Sequence, residues 1–75
     1  MSKKPNRLTR GRKLAKELEG AIWRLDFRRD LLERFYELRA PEDIINRQRQ
    51  LLLEAVIEYS DARKAYMAFL GEKLS

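Results

Sequence analysis

The side chains that could act as nucleophiles are few: the hydroxyls Ser2, Thr9, Ser60 and Ser75. A nucleophile needs a base beside it and a third group to orient that base. Three of the four hydroxyls lie near the chain ends, and there is no histidine to serve as the usual base. Cysteine is also absent, so no disulfide and no thiolate metal site can form. Carboxylate-bridged di-metal bundles rely on Glu-x-x-His pairs, which cannot occur here. The acids Glu54, Glu58 and Asp61 are spaced as a solvated helix face would space them. Gly11, Gly20 and Gly71 stand alone and make no phosphate-cradling loop. The expectation is a non-enzymatic protein, with no catalytic residue, metal site, cofactor or small-molecule substrate.

The basic residues are a stronger feature. Lys3, Lys4, Arg7, Arg10, Arg12, Lys13 and Lys16 all precede the first acid, Glu17. From Glu17 onward ten basic residues meet twelve acidic ones, so the formal charge of +5 resides in the N-terminal stretch. Residues 1–11 also contain Pro5, Asn6, Thr9 and Gly11, with Leu8 as the one apolar anchor besides Met1. That composition buries too little surface to offset ordering and predicts a flexible arm. Such an arm suits phosphate-rich nucleic acid or another anionic surface, or serves as a solubilising tail. No aromatic is interleaved with its charges, so base stacking within it is not expected. The longest apolar run, Ala65 to Leu70, is far short of the roughly 20 residues that span a bilayer. No apolar segment follows the basic start as in a secretory signal, and a soluble, cytoplasmic protein is expected.

The elements that carry these residues are organised by one break, Arg39-Ala40-Pro41-Glu42-Asp43. Proline disfavours helical angles in the residue before it and suits the first turn of a helix. Helix one is therefore expected over about 12–39, a turn near residue 40, and helix two over about 41–70 with Gly71 as its stop. Glu42 and Asp43 place negative charge at the positive end of helix two. So short a connection makes the helices antiparallel neighbours, an all-α hairpin.

At 100° per residue, Leu14, Leu18, Ala21, Ile22, Leu25, Leu32 and Tyr36 form one stripe on helix one, with Phe35 at its margin and Arg29 in its middle. Asp26 and Glu33 are the local partners expected for Arg29. On helix two, Ile45, Leu52, Tyr59 and Tyr66 recur every seven residues, flanked by Val56 and Leu70 on one side and by Ala55, Ala62 and Phe69 on the other. Folding at Pro41 sets Leu32 near Leu52, Leu25 near Tyr59 and Leu18 near Tyr66. Arg63 is a second charge on a stripe.

Apolar residues remain over. Trp23, Phe27, Leu31 and Leu38 form an opposite stripe on helix one, and Leu53 and Ile57 a smaller second face on helix two. One hairpin covers one face of each helix, so these residues mark an interface. A two-helix core is also too small to stand alone. The expected assembly is a homodimeric four-helix bundle, or a complex with a partner protein.

Residues 40–60 bear one resemblance. Pro41-Glu42, Gln50, Leu52 and the Val56 to Tyr59 segment resemble the helical hairpins of aspartyl-phosphate phosphatases of the sporulation phosphorelay. That resemblance implies a hairpin fold and action on a phosphorylated response regulator. Arg49 stands where that family has serine and Leu53 where it has aspartate, with about one extra residue after Pro41. The aspartate is what the family's activity requires, so the activity does not carry over. The residues themselves favour a small interaction protein or regulator acting through Trp23, Phe27, Leu31 and Leu38. The alternative is a nucleic-acid accessory protein using the basic stretch.

Overall fold

The computed structural model describes residues 7–74, with side chains described for residues 8–72. Two helices, α1 (Arg7–Glu37) and α2 (Glu42–Leu74), lie against each other as an antiparallel hairpin. The turn between them is a Schellman-type cap. Arg39 N–H donates to the Tyr36 carbonyl and Ala40 N–H to the Phe35 carbonyl, both at 3.0 Å. This pairing places the residue after the helix in the left-handed region, where glycine is the usual occupant. Here it is Arg39, with φ 55°. Pro41 then acts as the N-cap of α2, since its carbonyl accepts from Ile45 N–H at 3.0 Å. α1 thus ends two residues before the expected position and α2 begins one residue after it, with Glu42 and Asp43 in the first turn of α2 as the charge argument requires.

The seam between the helices keeps a strict seven-residue period. On α1 the seam positions, all buried or half-buried, run Gly11, Leu14, Leu18, Ala21, Leu25, Arg28, Leu32 and Phe35. On α2 they run Ile45, Gln48, Leu52, Ala55, Tyr59, Ala62, Tyr66 and Phe69. These are the a and d positions of a heptad, the pattern that holds two helices in continuous contact. Arg28, not Arg29, is therefore the seam arginine. A straight helix drifts by about 20° per heptad from a 3.5-residue repeat. The 100° wheel keeps Ala21 on the stripe but puts Phe35 at its margin and Arg28 off it, and brings Arg29 onto it. In the structure Arg29 is exposed and lies 3.9 Å from Asp26, its expected local partner. The Arg28 guanidinium leaves the seam over the Phe27 ring, 5.4 Å from its centroid. Ile22, Tyr36 and Val56 shift to the exposed margins for the same reason.

Both helices extend further than expected. α1 begins at Arg7, so residues 7–11 belong to the helix rather than to an arm; residues 1–6 lie outside the described residues. The added turn is held by packing. Gly11 sits so close to the buried Phe69 that a β-carbon would lie 2.9 Å from its ring. The Arg10 guanidinium lies over that same ring, 5.3 Å from its centroid, and pairs with Glu72 at 3.1 Å. α2 likewise continues through Gly71 to Leu74. Glycine costs a helix only about 1 kcal/mol, and the contacts of Phe69 and Glu72 on either side of Gly71 oppose that cost.

The hairpin is thin. Its extents are 56 × 27 × 15 Å, and only Ala21, Ile45, Ala55 and Phe69 are buried among the described residues. No large side chain is fully enclosed. One polar atom is caught in the seam: Gln48 Oε1 is buried and accepts no hydrogen bond.

Two substitutions test this framework. Arg39→Gly removes a left-handed strain of about 1–2 kcal/mol against a glycine entropy cost of about 0.5–1 kcal/mol. A net gain of some tenths to about 1 kcal/mol is expected in urea unfolding. Gln48→Met removes the unpaired carbonyl at similar volume and should add about 1 kcal/mol, measured at equal chain concentration. A loss of stability in either variant would contradict the geometry described.

Candidate interaction surface

The heptad seam leaves two flanks, one along each side where the helices meet. On the first, Arg24 Nε donates to Glu58 Oε1 at 2.6 Å and its terminal nitrogen pairs with the same oxygen. Arg10–Glu72 bridges the helices in the same manner toward the open end. In both pairs the residue numbers add to 82, which gives the register of the hairpin. Both pairs are about half exposed, and such pairs contribute under about 1 kcal/mol each. They align the helices more than they stabilise them.

Leu31 and Leu38 follow Arg24 at seven-residue intervals, and Leu51 and Ile44 precede Glu58 at the same interval. The flank is therefore ionic toward the open end and apolar toward the turn. Leu31 and Leu51 are half-buried beside the seam, while Leu38 is 76% exposed. Phe27 lies between Arg24 and Leu31 on the helix surface, and Trp23 is one turn before Phe27. They are 57% and 71% exposed. Trp23 and Phe27 also line a shallow depression with Ile22, Asp26 and Asp30, with carboxylates at its rim. Of the four residues expected to form a contact surface, three are open to solvent and Leu31 is shared with the seam.

The second flank is also apolar. Ile22 and Val56 lie at its margins, and Leu53, Ile57 and Met67 stand exposed on α2. Leu53 and Ile57 were legible as a smaller face. Met67 was not singled out, although its signal was present: it lies two heptads after Leu53 and one after Ser60. At the turn end of this flank, Arg49 Nε donates to the Tyr36 hydroxyl at 2.8 Å, with the guanidinium 5.6 Å from the ring centroid. Leu53, one turn after Arg49, is exposed.

The basic candidates divide. Lys3 and Lys4 lie outside the described residues. Arg7 starts α1, and Arg10 is engaged by Phe69 and Glu72. Arg12, Lys13 and Lys16 are exposed on the first turns of α1. Residues 7–16 and 63–72, adjacent at the open end, hold seven basic and one acidic residue; residues 17–62 hold seven basic and eleven acidic. The hairpin is electrically polar along its length. Among the described residues no helix is long and apolar enough to cross a membrane.

Comparison of the chain with protein-family models, with curated proteins and with solved structures finds no match.

Proposed function

We propose that this chain is a non-enzymatic helical interaction protein, and that the Trp23, Phe27, Leu31 and Leu38 face is its contact surface. The observation that carries this reading is the exposure of two large aromatics and a leucine on one side of a hairpin that already has its own seam. An isolated apolar residue on a surface is ordinary, but a contiguous patch marks a binding site. Aromatic anchors of this kind contribute most of the energy where a patch is buried by a partner. Phe27→Ala is expected to weaken association through this face by roughly 30-fold or more, the effect of losing about 2 kcal/mol at a hot spot. Helix content at high chain concentration should be unchanged, as read by circular dichroism. Loss of helicity at every concentration would make Phe27 part of the hairpin's own core and remove the reading.

A second reading is favoured by the charge segregation. The open end, with Arg12, Lys13 and Lys16 exposed, has the character of a site for the phosphates of a nucleic acid. Deleting the first 13 residues would also remove the Gly11–Phe69 packing, so charge removal is the cleaner test. Replacing Arg12, Lys13 and Lys16 by Gln should lower the slope of log affinity against log salt by about two to three. Binding to duplex or single-stranded DNA that ignores salt would eliminate this reading.

A further inference from the structure

The size of the uncovered surface and the distribution of charge together indicate what covers the Trp23 face. We infer that the occupant is a second copy of this chain, lying antiparallel so that the open end of each hairpin rests against the turn end of the other. This inference rests on the reading of that face as a contact surface and names the partner.

The first support is area. The chain exposes 6496 Å², whereas a compact monomer of 9.0 kDa exposes about 4,850 Å². The excess is about 1,650 Å². Obligate homodimers bury about 1,000 Å² or more of each partner, an amount that an excess of this size, spread over a rod, can supply. The 15 Å thickness gives the same result, since a slab one helix thick becomes a four-helix bundle when two copies stack.

The second support is charge. Parallel stacking would set the seven-to-one basic open ends of two copies against each other. Antiparallel stacking sets each against the acid-rich remainder of its mate. The local pattern agrees. Trp23 lies at mid-length of α1, so a twofold axis at its level relates residues equally spaced on either side. Lys16 and Asp30, each seven residues from Trp23, are then opposed between copies. Gly20 and Phe27, three and four residues away, fall within one residue of each other. Gly20 presents no side chain, and the space its β-carbon would take is bordered by the Arg24 guanidinium, so an aromatic ring of the second copy would lie against that cation. The symmetry is isologous and closes at two, which a self-complementary patch requires.

The test uses the full chain, which has no cysteine of its own. Lys13→Cys, spin-labelled, is measured by pulsed dipolar spectroscopy alongside the solution mass across a dilution series. Antiparallel pairing about Trp23 separates the two labels by 20 helix positions, or about 30 Å at 1.5 Å per residue. Parallel pairing brings them to about 20 Å or less, two helix-to-helix spacings at most. A dimer mass with the longer distance, abolished by Phe27→Asp and retained by Ile57→Asp, supports the inference. A stable helical monomer would overturn it and leave the face open to a different protein. The short distance would overturn the antiparallel arrangement. A dimer broken by Ile57→Asp and not by Phe27→Asp would move the contact to the opposite flank and overturn it too.

Discussion

A hairpin of two helices has a single seam, and every other property of this chain follows from how little that seam encloses. Each a and d side chain touches one neighbouring helix and then meets solvent at its edges. That is why Leu14, Leu18, Leu25, Leu32, Tyr59 and Tyr66 are only half-buried although they occupy the best positions available. Burial of this depth yields only a fraction of the roughly 1.5–3 kcal/mol available for a fully enclosed apolar side chain. The close approach of Gly11 to the buried Phe69 and the small, buried Ala21 and Ala55 are where the seam is tightest. The ion pairs at the edges then fix which residues meet.

The fold was legible because its two strongest signals are local. Proline at 41 restricts the chain on both sides of itself, and a heptad series recurs on each helix, through Leu18, Leu25 and Leu32 on α1 and through Ile45, Leu52, Tyr59 and Tyr66 on α2. What escaped was the difference between a straight and a supercoiled helix. Three heptads of drift exchange Arg29 for Arg28 and move Ile22 and Tyr36 out of the seam. The ends escaped for another reason. The composition of residues 7–11 describes an arm, and Gly71 is a plausible stop, but each is overridden by contact with a residue about 60 positions away. Arg39 shows a limit of a different kind. A glycine there would have announced the left-handed cap, and an arginine does not.

The exposed apolar face of α1 was legible to the extent that it lies on one element. Trp23, Phe27 and Leu38 recur at helical spacing on α1, so their exposure follows once the seam is assigned elsewhere. Leu31 is half-covered because its edge is shared with α2. The contribution of Leu51 and Ile44 depends on the register between helices, which the Arg24–Glu58 pair reveals and the spacing of residues within one helix does not. The charge polarity was visible as a basic N-terminal stretch. Its meaning changed when Arg63 and Lys64 of α2 were found beside it, because a one-ended arm became one end of a rod.

The cross-helix contacts also differ in the length of chain each one closes. Tyr36 and Arg49 are 13 residues apart in the chain, Arg24 and Glu58 are 34 apart, and Arg10 and Glu72 are 62 apart. Formed independently, the last loop would cost about 1.4 kcal/mol more in closure entropy than the first. Formed in succession from the Arg39 cap, each contact closes only a short segment beyond the one before it. Zipping from the turn is therefore the route of least closure entropy, and the contacts of Gly11 and Phe69 are the last that route makes.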